Sequence, residues 1–134
     1  MKLNSQTKYA IQSLMFLLAK KRHTIVPAHL VAQELGLPKE FVSKILQKLA
    51  QNGVLNSKKG KFGGFYTQES SIKTKMRDLV QIFESEKIMR QCVLGFKDCD
   101  ACDSCELGKF NKDYINLFLD MPLKNMIAEH YNII

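Results

Sequence analysis

All four cysteines of the 134-residue chain, Cys92, Cys99, Cys102 and Cys105, fall within fourteen residues. Thiolates are soft anionic ligands. The last three follow a Cys-x2-Cys-x2-Cys rule, the kind of run that holds an iron-sulfur cluster, and closely spaced cysteine pairs equally suit tetrahedral zinc. Disulfides would close only tiny loops here, and the chain shows no export signal that would favour them. A metal-free thiol switch is the stronger rival. Against it, Asp98, Asp100, Asp103 and Glu106 interleave with the thiols, and neighbouring carboxylates disfavour free thiolate. A bound cation reverses that electrostatics. The stretch therefore reads as a metal site, with a 2Fe-2S or 4Fe-4S cluster as the leading occupant and zinc as the alternative. His23, His29 and His130 have no cysteine near them in sequence and are read as ordinary surface residues.

The second chemical signal is cationic. The net charge of +7 divides unevenly: residues 1–75 hold 13 Lys/Arg against 3 Asp/Glu, net +10, and residues 76–134 hold 7 against 10, net −3. The first part is the one that would meet a polyanion. A membrane-surface binder concentrates its basic residues along one long amphipathic helix, whereas here they are spread over several segments, so nucleic acid is the expected partner. The apolar run Tyr9 to Ala19 is too short to span a bilayer, contains Gln12 and Ser13, and ends in Lys20-Lys21-Arg22 without a small-residue cleavage site. The expected location is cytoplasmic, with no membrane contact.

Hydrophobic residues make up 46% and charged residues 25% of the chain, a globular balance. Residues 4–21 read as a helix that is apolar nearly all round and so buried on several sides. Pro27 opens a second helix to Leu35, burying Leu30, Val31 and Leu35. Gly36 stops it, and Pro38 opens a third to about Asn52, with Phe41, Val42, Ile45, Leu46 and Leu49 as its inner face. Two short helices joined through a glycine are the layout of a helix-turn-helix. The outer face carries Lys39, Ser43, Lys44 and Gln47. A charged face is usually only solvated, but these side chains suit base edges in a major groove.

The segment after the third helix favours base recognition. Gly53 to Tyr66 reads as a β-hairpin wing whose tip holds Lys58, Lys59 and Lys61, placed to grip phosphates or enter an adjacent minor groove. Residues 72–85 read as a further amphipathic helix. Leu107, Phe110, Tyr114, Leu117 and Met121 then recur at intervals of 3, 4, 3 and 4, a heptad seam widened by Ile115 and Phe118. The seam reads as a dimer helix, about 24 Å long at 1.5 Å per residue. A last helix runs from Leu123 to Tyr131. The fold class is mainly α with a small β-hairpin wing: a winged helix-turn-helix DNA-binding domain over 1–75, then the cysteine loop and C-terminal dimerisation helices over 76–134.

Met1-Lys2-Leu3 with Tyr9-Ala10, the Ala32–Leu49 segment with its Leu46-Gln47-Lys48-Leu49, the Gly60–Tyr66 wing, the cysteine stretch and Met121-Pro122-Leu123 together resemble the Rrf family of winged-helix regulators, the IscR, NsrR and RirA group. The resemblance covers nearly the whole chain. It implies a homodimeric bacterial transcription regulator whose long C-terminal helix crosses to the partner subunit and whose cluster-bearing loop couples cluster state to DNA affinity. By that resemblance Cys92, Cys99 and Cys105 match the family's three cluster cysteines. The sequence departs from the pattern at the fourth ligand. No histidine follows in Glu106-Leu107-Gly108, and Lys8 stands where some relatives carry an acidic ligand in the first helix, which leaves Cys102 as the additional thiol. In the wing, Lys59 replaces the usual arginine and Lys61-Phe62 replaces a Pro-Gly. Lysine contacts phosphate as a point charge without arginine's planar fork.

The expected function is a dimeric, sequence-specific regulator that binds a double-stranded DNA operator and senses iron, redox state or nitric oxide. An alternative keeps DNA binding but makes the cysteines a structural zinc site or a thiol switch. Another class would be an iron-sulfur electron-transfer module whose basic half docks an acidic partner. An enzyme is not expected, because no nucleophile-base pair, carboxylate pair or complete cofactor motif stands out.

Overall fold

The computed structural model describes residues 3–90, 92, 94–96 and 104–131. Asn4 starts the first helix: its side-chain oxygen accepts the Thr7 N–H at 2.8 Å, and α1 runs Ser5–Leu18. As its composition requires, α1 is the central element. Ala10 and Ser13 to Leu18 are buried, and α1 packs against α2 (Ala28–Leu35), α3 (Lys39–Gln51), α4 (Met76–Phe83) and α6 (Lys124–Tyr131). Pro27 and Pro38 sit at the N-caps of α2 and α3, one position earlier than expected. Gly36 closes α2 in the left-handed region, and the Leu37 N–H donates to the Ala32 carbonyl at 3.0 Å, which sets the turn into α3.

Two side chains assigned to the core lie outside it. Phe41 is 48% exposed and Leu30 41% exposed, while Val31, Val42, Ile45, Leu46 and Leu49 are buried as expected. Phe41 lies on the flank of α3, where its ring meets Tyr9 edge-on at 6.2 Å. Ala32, not assigned to the core from the sequence, is buried beside Val31.

The hairpin is β1 (Asn56–Lys58) antiparallel to β2 (Gly64–Tyr66), with Lys58 opposite Gly64. It is anchored on both sides. Val26 and Phe65 exchange N–H···O bonds of 2.9 Å, so the segment before α2 forms a third, one-residue strand. A Cβ at Gly64 would lie 2.5 Å from the Val26 carbonyl oxygen, so only glycine allows this approach. The Arg22 guanidinium donates to Thr67 Oγ1 at 2.8 Å and to the carbonyls of Leu18 and Lys20, tying the end of α1 to the far end of the wing.

A 3-10 turn, Glu69–Lys73, replaces the start of the helix expected over 72–85, and α4 covers only Met76–Phe83. Met76, Leu79 and Phe83 join the core of α1 and α3, as do Leu123 and Ile127 from the last segment. Glu84, just past α4, accepts from the Asn4 N–H at 2.6 Å and from the Thr7 hydroxyl at 2.8 Å, which pins the start of α1. The long helix α5 runs Glu106–Leu119, about 21 Å at 1.5 Å per residue and so slightly shorter than expected. Its inward residues are Ile115 and Leu119, which share a small second core with Val80 and Ile88. Ile115 therefore faces the opposite way from the seam it was expected to widen. Among the described residues, no helix is long and apolar enough to cross a membrane.

Candidate nucleic-acid interface and cysteine loop

Helix α3 presents two polar stripes that serve different neighbours. Gln47, Ala50 and Gln51 share a groove of about 440 Å³ with Ser57, Lys58, Lys59, Gly64 and Phe65 of the wing. Recognition helix and hairpin thus offer one continuous, carboxylate-free surface containing three of the expected DNA-binding residues, Gln47, Lys58 and Lys59. Gln51 and Ser57 belong to it as well. Gln51 was legible as the next residue at i+4 from Gln47; Ser57 gave no signal without the strand register. Lys39 is exposed at the start of α3, Ser43 is half-buried, and Lys61 is exposed at the wing tip.

Lys44 lies on the other stripe. With Gln6, Glu40, Phe41, Ile45, Lys48 and Phe83 it lines a hollow of about 310 Å³ between α3, α1 and α4. The Lys48 ammonium sits 5.2 Å from the Phe83 ring centroid, a cation–π contact that turns it away from the wing. His23 adopts φ 65° and packs its ring 5.8 Å from Tyr66, and His29 is exposed.

Of the four cysteines, Cys92 and Cys105 are described, while Cys99 and Cys102 lie outside the described residues. Cys92 opens a tight turn in which the Gly95 N–H donates to the Cys92 carbonyl at 3.0 Å. The backbone N–H groups of Phe96, Leu94 and Gly95 face its sulfur and hold the thiol below its ordinary 9.0. N–H groups that favour the anionic form of Cys92 suit a sulfur that would ligate a cationic metal or cluster. Cys105 is exposed and occupies the N-cap of α5, where the positive end of the helix dipole favours an anionic centre. Both described cysteines therefore fit a metal-thiolate or cluster site. Among the described residues no three His, Cys, Asp or Glu side chains come together.

The heptad residues of α5 face away from the chain's own core. Leu107 is 46% exposed, Phe110 70%, Tyr114 60%, Leu117 76%, and Met121 just beyond the helix 38%. Half of the large hydrophobic side chains exposed among the described residues are on this one stripe.

A family model described as "Rrf2: Iron-dependent Transcriptional regulator" matches residues 3–118. Protein aau3 of Rhizobium meliloti is 29% identical over 123 residues, spanning 90% of this chain and 79% of its own. The HTH-type transcriptional regulator NsrR of Bacillus licheniformis is 22% identical over 122 residues, with 90% and 85% covered. Among solved structures, CymR, the global cysteine regulator of B. subtilis, has the same fold at a TM-score of 0.76 and 14% identity, covering 96% of this chain and 98% of that one. The winged helix, the span of the match and the named relatives agree with the resemblance read from the motifs: the chain belongs to the Rrf2 family of DNA-binding transcriptional regulators and is not an enzyme.

Proposed function

We propose that the protein is a homodimeric, sequence-specific regulator that senses iron, redox state or nitric oxide through an iron-sulfur cluster held by Cys92, Cys99, Cys102 and Cys105. In this reading residues 1–75 bind the operator and residues 76–134 sense and dimerise. Lys58, Lys59 and Lys61 grip phosphates, Lys39, Ser43 and Gln47 meet base edges, and Lys44, on the other stripe of α3, meets adjoining backbone. Leu107, Phe110, Tyr114, Leu117 and Met121 pack against the same stripe of a second copy.

The observation that carries the sensing reading is that both ends of the cysteine stretch are tied to α5. Ile88, four residues before Cys92, shares a core with Ile115 and Leu119, and Cys105 is the residue on which α5 begins. A bound iron-sulfur cluster would supply iron open to redox change and nitric oxide. Four thiols drawn to one point would fix the separation of Cys92 from Cys105, the residue on which α5 begins; releasing them would remove that restraint on α5. Two recognition helices must sit about 34 Å apart to meet successive major grooves, so a small shift of α5 in each subunit would register as operator affinity.

The test is the iron, zinc and acid-labile sulfide content of protein purified without air, with its visible spectrum. Iron with sulfide and a visible absorption lost on oxidation is the expected result. Colourless protein with stoichiometric zinc would replace the sensor with a structural site.

A further inference from the structure

A single exposed apolar side chain is ordinary, and Phe62, 82% exposed, would mean little by itself. Its position gives it meaning. The register pairs Lys58 with Gly64, and the Gly63 N–H donates to the Gly60 carbonyl at 3.0 Å, so Lys61 and Phe62 are the two central residues of the turn at the very tip of the wing. A Cβ at Gly63 would come within 2.1 Å of the Lys58 carbonyl oxygen, so only glycine at that position lets the turn close this tightly next to Phe62. Corner positions of turns normally carry polar residues or glycine. Here one carries the most exposed of the large hydrophobic side chains among the described residues.

The surroundings say what the ring meets. Residues 53–66 contain three lysines and no carboxylate, and the Lys61 ammonium lies 5.8 Å from the Phe62 ring centroid, so a cation accompanies the ring. Lys58 and Lys59 share the α3 groove with Gln47, which places the tip on the same side of the molecule as the recognition helix. An aromatic ring projecting from a purely cationic hairpin fits a duplex: phosphates line the rim of a groove for the lysines, and apolar base faces lie between the stacked steps for the ring.

We propose that Phe62 is a wedge that enters the minor groove flanking the major-groove site, unstacks a pyrimidine–purine step and bends the duplex there. The inference rests on the DNA-binding role of α3 and the wing. Such steps open most easily, so the wedge selects sequence at a position that no hydrogen-bonding side chain reads.

The experiment uses duplexes enriched from a random pool by the full chain purified without air. 2-Aminopurine is placed at each pyrimidine–purine step, and dyes at the duplex ends report bending. The wild-type chain is expected to raise fluorescence at one step in each half-site and to shorten the end-to-end distance. Phe62→Ala is expected to abolish both signals and weaken binding about tenfold, the scale of one aromatic–base contact, while leaving the salt dependence unchanged. Phe62→Leu keeps an apolar wedge and is expected to retain part of the bend. Full retention of both signals by Phe62→Ala would overturn the wedge. So would an equal loss of affinity on enriched duplexes and on ones whose flexible step is replaced by a stiff A-tract. A wild-type chain that enriches no duplex would remove the underlying reading as well, whereas an enriched duplex that stays stacked would remove the wedge alone.

Discussion

Gln47, Lys58 and Lys59 border one groove and Lys61 stands at the wing tip; in the proposed reading the glutamine and the lysines do different physical work. A lysine on a phosphate releases counterions whatever the base sequence. Lys59→Ala and Lys61→Ala are therefore expected to weaken binding almost uniformly, each reducing the slope of log affinity against log salt by about one. Gln47→Ala is expected to cost about 1–3 kcal/mol at one base position and to leave that slope unchanged. Binding isotherms at several salt concentrations on matched and single-substituted duplexes separate the two; identical behaviour of all three variants would rule out readout by α3. Cys92 offers a pH prediction. Its thiol is lowered by the Phe96, Leu94 and Gly95 N–H groups, so the stabilisation they give is present above the ordinary value of 9.0 and is lost as pH falls through the lowered value. With the other three cysteines replaced by serine, the iodoacetamide rate profile is expected to have its midpoint below 9.0. A midpoint at or above that value would mean that the turn does not favour the thiolate.

At the scale of elements, α5 divides its apolar residues between two tasks. Ile115 is fully buried in the chain's own second core, and Leu117, two residues on, is 76% exposed. Ile115→Ala is expected to lower stability by about 2–5 kcal/mol in urea unfolding, the range for a truncated core side chain. Leu117→Asp is expected to leave the circular dichroism spectrum intact and to yield monomers in sedimentation. Folded dimers of Leu117→Asp would relocate the interface. The Arg77–Asp120 ion pair at the foot of α5, 3.1 Å long but 38% and 60% exposed, is worth little by comparison. The elements were largely legible, because periodicity and the Pro and Gly punctuation dictate them. The turn through Gly36, the wing and the α5 seam all arise from local sequence. Phe41, Leu30 and Ile115 were misplaced for one reason: periodicity defines a stripe but not its edge, and the neighbour that packs against each edge comes from a distant segment. The Val26 bridge to Phe65 and the Glu84 contacts to Asn4 and Thr7 had no local signature at all, since they join residues 39 to 80 positions apart.

At the scale of the whole molecule, one core joins α1 to α4 and α6, and the cysteine stretch departs from α4 and arrives at α5. In the proposed reading the basic half meets DNA, the apolar stripe of α5 suits a second copy, and in chain order the cysteine stretch comes between them. The place of the cysteine stretch before α5 was legible in the sequence, but the packing of Ile88 against Ile115 and Leu119 was not, because Ile88 and Ile115 are far apart in sequence. The central claim is that what the cysteines hold sets operator affinity. The most direct measurement is binding to an enriched duplex by protein kept under anaerobic conditions, before and after chelation, with iron and sulfide assayed on the same samples. An affinity change of about tenfold or more that tracks the loss of iron and sulfide is the expected result. Equal affinity in both samples, with the metal demonstrably removed, would contradict it.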